Sequence, residues 1–265
     1  GLRVLCVDNE RDILEGMNLL LDRWGCSVML AESLAEAEQL VDRNGPPDMV
    51  LVDHHLSHQV FGLGVMDRLE EKLAVADSLL YRRGNFNGSF DQLICDGLRQ
   101  QLDAQIALSP GFRWGTTVVP GEHITMERLL DQTCMTYPET YVRDMPGKEL
   151  KLILESVADN LFNPDPYYRQ GGDMVRTGGL QYSCDPLAGM GERIGDLTLA
   201  DGKPIEADKS YRVAGWATVG AKSPGAPVWD VVADYLREQK TVRIDRVDTP
   251  QLKNVAGNPG ISGVS

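Results

Sequence analysis

Residues 2–10 read LRVLCVDNE and residues 48–55 read DMVLVDHH, two short apolar runs that each end on a carboxylate. Runs of this length suit buried strands. Between them the period changes. Ile13, Leu14, Met17, Leu20, Leu21 and Trp24 recur at spacings of three and four, one face of a helix, and Gly25 is placed to end it. Residues 26–31 form another apolar run. Ser33, with Glu36 three residues on, is the capping box of a second helix, stopped at Asn44-Gly45-Pro46-Pro47. Strands alternating with helices predict parallel β-α-β units with right-handed crossovers. In the order 2-1-3 the first and third strands are neighbours, and the crevice at their carboxyl ends is where ligands bind in such sheets. That order gathers Asp8, Glu10 and Asp53. Clustered carboxylates repel unless a cation lies among them, and a hard oxygen-liganded ion such as Mg²⁺ suits the set. With that ion in place, one of these carboxylates can act as a nucleophile toward a phosphoryl group.

VLCVDNE followed by PDMVLVDHHL resembles the response-regulator receiver family, of the kind found at the end of hybrid sensor histidine kinases. The resemblance implies a flavodoxin-like fold, Asp53 as phospho-acceptor, Asp8 and Glu10 at a Mg²⁺ site, and a histidine kinase as partner. Asn9 stands where the family often has a second acid. The resemblance covers residues 1–69 and reaches only the first three of the family's five strands. The family's switch Ser/Thr and phosphoryl-contacting Lys belong to the strands not reached. The expectation is a truncated receiver whose last strand is an unpaired edge. His54, His55 and His58 follow Asp53. The pair His54/His58 has the spacing of a helical metal site but lacks the glutamate of H-E-x-x-H, so these are read as loop histidines.

The chain changes character near residue 70, and residues 66–81 (MDRLEEKLAVADSLLY) read as helix throughout. Beyond them, residues 91–102 form an amphipathic helix with Leu93, Ile94 and Leu98 inward, and residues 104–108 a strand. Ser109-Pro110-Gly111-Phe112-Arg113-Trp114-Gly115 is a loop carrying one cation between aromatics, and Thr125 caps a short helix. Residues 141–145 alternate as a strand, 148–161 follow as helix, and Asp201-Gly202 is a hairpin turn between strands 193–199 and 205–207. Residues 211–217 make a further strand and 228–238 a final helix. Residues 163–185 (NPDPYYRQGGDMVRTGGLQYSCD) hold two Gly-Gly pairs, adjacent tyrosines and two arginines, the composition of a binding loop. Without regular alternation of helix and strand, the class is α+β. The whole reads as α/β then α+β, with parts 1–69 and 70–265.

YRRGNFNGSFDQLICD, SPGFRWGTTV, TYPETYV, LFNPDPYYRQGGDMVR, YRVAGWATVG and GNPGI, in that order, resemble the C-terminal domain of the 5′-nucleotidase superfamily. Within it they are similar to the SoxB-type thiosulfohydrolases of sulfur oxidation. The resemblance implies hydrolysis of a cysteine S-thiosulfonate on a SoxYZ-type carrier protein, with release of sulfate. It also implies a separate domain holding two Mn²⁺ ions; that domain has no counterpart in these residues, so binding without hydrolysis is the expectation. Arg113 matches the superfamily's arginine-bearing loop, and a guanidinium suits a sulfonate through forked hydrogen bonds. Arg176, Asp173 and Met174 fall on the substrate-facing loop, and Trp216 falls near where nucleotidases stack a base. Tyr167 and Tyr168 are candidates to line a groove for a carrier peptide. Buried ion pairs for the arginines and core packing for the aromatics are the competing readings. Arg82-Arg83 is read as a solvated pair.

The composition narrows the alternatives. The formal net charge is −13, of which residues 1–69, with 5 basic and 12 acidic side chains, carry more than half; this argues against a nucleic-acid partner. No apolar run approaches the roughly 18–20 residues that span a bilayer. The five cysteines form no C-x-x-C pair, and Cys134 and Cys184 are expected to be buried small hydrophobes. No signal-peptide pattern is legible, which with the receiver resemblance implies the cytoplasm, whereas the SoxB-type resemblance implies the periplasm.

Overall fold

The computed structural model describes residues 2–45, 47–52, 68–112, 115–135, 137–218 and 223–256. It divides into two compact units, Gly1–Glu71 and Lys72–Ser265.

In the first unit β1 (Arg3–Val7), β2 (Ser27–Ala31) and β3 (Met49–Val52) form a parallel sheet of order β2-β1-β3, with α1 (Arg11–Arg23) and α2 (Leu34–Asn44) between the strands. Side chains alternate across β1, as the pleat requires. Val4 and Cys6 pack with Leu14 and Leu21 of α1, while Leu5 and Val7 pack with Ala31 and Ala37. The anticipated cap is present: Ser33 Oγ accepts from the Glu36 amide at 3.4 Å, and Glu36 returns a carboxylate oxygen to the Glu32 amide at 2.9 Å. Gly45, at φ +80°, closes α2. Among the described residues β3 is the sheet's edge and leaves Met49, Val50 and Val52 exposed.

The described residues of the second unit form three sheets. β7 (Tyr141–Pro146), β11 (Ser210–Gly215), β5 (Ile106–Ser109) and β8 (Arg176–Gly178) lie in the order β7-β11-β5-β8, parallel only between β11 and β5. β12 (Thr241–Val242), β4 (Lys72–Ala76) and β6 (His123–Thr125) form a second sheet with β4 in the middle. β10 (Ile194–Leu199), β9 (Leu180–Cys184) and β13 (Gln251–Leu252) form the third. The helices are α3 (Ser89–Gln101), α4 (Met126–Thr133), α5 (Gly147–Phe162) and α6 (Val228–Gln239). Leu93, Ile94 and Leu98 of α3 pack with Val232 and Leu236 of α6 and Leu73 of β4 in one core. Leu150, Leu154 and Ala158 of α5 pack with Met145, Val213 and Tyr182 in another. Thr125 caps α4, its Oγ1 accepting from the Arg128 amide at 3.2 Å.

Three expectations are corrected. The helix anticipated over 66–81 gives way to a strand, β4, after residues 68–70. Leu73-Ala74-Val75-Ala76 is a continuous apolar run, which fits helix or buried strand equally by pattern, and β6 and β12 supply ladders on both its sides. Residues 205–207 make no strand; the turn at Asp201-Gly202 forms, but pairing shrinks to a bridge between Thr198 and Pro204, a residue with no N–H to extend a ladder. Residues 163–185 are not one loop, since β8 and β9 occupy their second half.

Candidate functional site

The 109–116 loop leaves β5 and carries Arg113, which with Trp114 lies outside the described residues; the segments on both sides of the pair are described. Beneath the loop lies a buried ionic cluster. Gly88 is forced by space: a Cβ there would collide with the Tyr81 carbonyl oxygen. Its amide donates to Asp91 Oδ2 at 2.8 Å, capping α3, and the other oxygen, Asp91 Oδ1, accepts from Arg82 Nε at 2.6 Å. Arg176 of β8 brings its Nε to 3.5 Å from the same oxygen and its Nη2 to 3.5 Å from Asp173 Oδ2. Arg82, Asp91 and Arg176 have no exposed side-chain surface, and burial, more than any neighbour, pulls the Arg82 guanidinium below its ordinary range, with Asp91 opposing.

Both ends of the loop are tied to this cluster. Arg82 Nη2 donates to the Pro110 carbonyl at 3.0 Å, Nη1 donates to the Gln132 carbonyl at 2.6 Å, and the guanidinium carbon lies 3.7 Å from the centre of the Phe112 ring. Arg176 Nη2 donates to the Gly84 carbonyl at 3.0 Å and more weakly to Phe112 at 3.4 Å. Phe112 meets Trp216 edge-on at 6.1 Å, and Trp216 Nε1 donates to Ser109 Oγ at 2.9 Å. Past the two undescribed residues, Gly115 takes φ +105° against the Gln132 side chain, whose Nε2 donates to the Thr116 carbonyl at 2.9 Å. Gln132 Oε1 and Arg176 Nη1 are buried with no hydrogen-bond partner among the described residues.

The anticipated substrate residues thus divide. Asp173, Arg176 and Trp216 are brought to the base of the Arg113 loop, Arg176 as a fully buried ion-paired side chain and Trp216 as a core aromatic. Met174 is fully buried in the core around α5, and its carbonyl faces Gly111 so closely that a Cβ there would collide with it. Tyr167 and Tyr168 are exposed on the loop after α5, their rings edge-on at 5.3 Å, and that loop is held by Asn163 and Asp165, which accept from the amides of Asp165 and Tyr167. Arg82 corrects the expectation of a solvated pair, being 2 % exposed. Cys184 is buried as expected, with its thiol raised to about 11 by burial and then by Glu155; Cys134 is exposed, against expectation. Asp91 and Gln132 are not anticipated from sequence, although Asp91 stands three residues after Gly88, the capping-box position.

In the first unit Asp8 ends β1, buried, and its Oδ1 accepts from the Glu10 amide at 2.8 Å, while Glu10 is exposed. The register pairs Val7 with Val52, the residues that precede Asp8 and Asp53 in the sequence. Asp53, His54, His55 and His58 lie outside the described residues, so the anticipated Mg²⁺ set is described only at Asp8 and Glu10. Among the described residues no three His, Cys, Asp or Glu side chains gather as a metal centre. No helix among them is long and apolar enough to cross a membrane.

Comparison with known proteins accounts for both units. The response regulator receiver domain model matches residues 4–77, and the model of the 5′-nucleotidase C-terminal domain matches residues 72–230, so the two overlap on β4. The structure of the sulfate thiohydrolase SoxB from Thermus thermophilus, in complex with glycerol, is 35% identical over 73% of this chain and 37% of its own length, with a TM-score of 0.67. A 5′-nucleotidase precursor, also from Thermus thermophilus, is 21% identical over 72% of this chain and 41% of its own, with a TM-score of 0.57. The NAD nucleotidase NadN of Haemophilus influenzae is 14% identical over 91% of this chain and 44% of its own, with a TM-score of 0.56; these last two likenesses concern the fold alone. The chain spans less than half the length of each. No curated protein matches the chain in sequence. With its family model matched across more than half of the chain, the protein belongs, over residues 72–230, to the 5′-nucleotidase C-terminal domain family.

Proposed function

We propose that residues 72–265 are the substrate-gripping domain of a SoxB-like thiosulfohydrolase, which holds the cysteine S-thiosulfonate of a SoxYZ-type carrier while sulfate is released. The 35% identity to SoxB over 73% of the chain carries this reading. In it Arg113 donates a fork of hydrogen bonds to the sulfonate oxygens. Asp173 and Arg176 stand below that loop, Met174 supports it through its backbone, Trp216 braces it through Phe112, and Tyr167 and Tyr168 offer an exposed apolar strip to the carrier peptide. In a complete enzyme of this kind paired Mn²⁺ ions supply the activated water; the residues of this domain grip and orient. A peptide ending in the S-thiosulfonated cysteine is expected to bind, and Arg113→Ala to weaken it about 10- to 100-fold, the size of a lost hydrogen bond to a charged group. Titration calorimetry checks this. Equal affinity of wild type and variant would refute the assignment of Arg113, and sulfate release by the chain alone with Mn²⁺ would refute binding without hydrolysis.

A second activity is proposed for the first unit: a phosphorelay receiver with Asp53 as phospho-acceptor, served by a histidine kinase and Mg²⁺. The parallel β2-β1-β3 sheet with Asp8 at the end of β1, and the receiver model's match, support it. An Asp53 carboxylate oxygen would attack the phosphorus of acetyl phosphate and acetate would leave. With Mg²⁺, intact mass is expected to rise by one phosphoryl group in the wild type and not in Asp53→Asn. No mass gain in either would refute the reading. The first function implies the periplasm and the second the cytoplasm.

A further inference from the structure

After β12 the chain runs through residues 243–250 to β13 and so joins the two cores of the second unit. Ile244 packs against the core of α3 and α6, and Leu252 against the core of α5. Both ends of this strap are well fastened. At the first, Arg243 Nη1 donates to Asp77 Oδ2 at 3.3 Å and the Ile244 amide donates to Ser78 Oγ at 2.9 Å. At the second, the Lys253 amide donates to the Cys184 carbonyl and its Nζ to Asp196 Oδ2, each at 2.8 Å. The middle rests on Asp248, which is 8 % exposed. Its amide donates to Gln92 Oε1 of α3 at 2.8 Å, and its Oδ2 accepts at 2.7 Å from the amide of Gly179, in the turn between β8 and β9.

One nitrogen serves two carboxylates there. Gln92 Nε2 donates to Asp96 Oδ1 at 2.9 Å and to Asp248 Oδ2 at 3.5 Å. The nearby guanidiniums compensate them poorly. Arg99 gives its Nε to the Gln105 carbonyl at 3.0 Å and brings Nη1 only to 3.7 Å from Asp96, while the exposed Arg246 stands 3.8 Å from Asp248 Oδ1. The other titratable groups near the pair, Cys95 of α3 and Tyr235 of α6, are kept neutral by burial. Two carboxylates so placed favour holding one proton.

We infer that residues 245–250 are an acid-tightened latch: with a proton on Asp96 the strap holds α3 to the β8–β9 turn, and with both carboxylates charged its middle lifts while β12 and β13 stay paired. Lifting carries Asp248 away from Gln92 and Asp96, which ends the repulsion, and it releases the Gly179 amide. Burial first, and the Asp248 charge in addition, raise the Asp96 carboxyl above the ordinary carboxylate range, against the Gln92 hydrogen bond and Arg99. A carboxyl raised in the closed form stabilises that form fully below its ordinary value and ceases to do so as pH rises through the raised one. The latch is independent of which ligand the domain grips.

The test follows hydrogen exchange of single amides in the full chain at about pH 5 and about pH 8, each rate divided by the intrinsic rate at that pH. Protection of the Asp248 and Gly179 amides is expected to fall about three- to tenfold from the lower pH to the higher, while the Leu150 and Leu154 amides of α5 keep theirs. Asp96→Asn, which keeps an oxygen for Gln92 and loses the charge, should show no fall, and Asp248→Asn a smaller one than the wild type. Should one variant not fold, the other decides. Constant protection in the wild type, a fall in Asp96→Asn equal to the wild type's, an undiminished fall in Asp248→Asn, or an equal fall in α5 would each overturn the inference.

Discussion

Asp91 is the residue on which most of the second unit's polar order converges, because its two oxygens cap a helix and neutralise two guanidiniums. Removing one member of a buried pair leaves an uncompensated charge, at about 3–5 kcal/mol. Arg82→Met, which leaves Asp91 facing only the more distant Arg176, is therefore expected to lower the unfolding free energy measured in urea by up to that amount, and Arg176→Met by less, since its contacts to Asp91 and Phe112 are longer. Thiols give a second check. Burial raises the Cys95 and Cys184 thiols, and Cys134 is exposed, so at neutral pH a maleimide should label Cys134 early and leave Cys95 and Cys184 until urea unfolds the chain. Asp159 gives a third. Hydrogen bonds from Asn163 and Arg193 hold its carboxyl below the ordinary range. Its stabilisation is thus complete above the unfolded value of about 3.9 and is lost as pH falls through the lower folded value. Denaturation midpoints of wild type and Asp159→Asn should accordingly differ at pH 7 and converge on acidification.

Elements show which sequence signals survive folding. The caps at Ser33 and Thr125 and the order β2-β1-β3 are legible because each follows from local chemistry or from the period of a strand and helix. β4 is not, because an unbroken apolar run has no period to read; its partners, β6 and β12, lie about 50 and 170 residues further along. Arg82 escapes for the same reason. Adjacent arginines are usually solvated, and nothing near them announces that Asp91 caps a helix with one oxygen and has the other to spare. The second Gly-Gly pair reads as room for a ligand, yet a Cβ on Gly178 would stand 2.5 Å from Cys95 Cβ, so this glycine is where β8 meets α3. Gly178→Ala is expected to cost about 1–3 kcal/mol by overpacking. Gly189→Ala, on an exposed loop with nothing within 4 Å, should stay within about 0.5 kcal/mol. Calorimetric melting of both variants checks the contrast.

At the scale of the molecule, each unit closes its own cores, around Val4 and Leu5 in the first and around Leu93 and Leu150 in the second. Two melting transitions are expected, and a chain of residues 72–265 should retain the one that survives when the first unit is removed; a single transition lost on truncation would contradict separate cores. The position of β4 also limits how such a chain can be spliced. Glu71 and Lys72 are consecutive, and Lys72 already opens the middle strand of a sheet. A recombination joint placed just before Lys72 leaves that sheet whole. Trimming a handful of residues downstream would strip β6 and β12 of their common neighbour and remove Leu73, Ala74 and Ala76 from the interior.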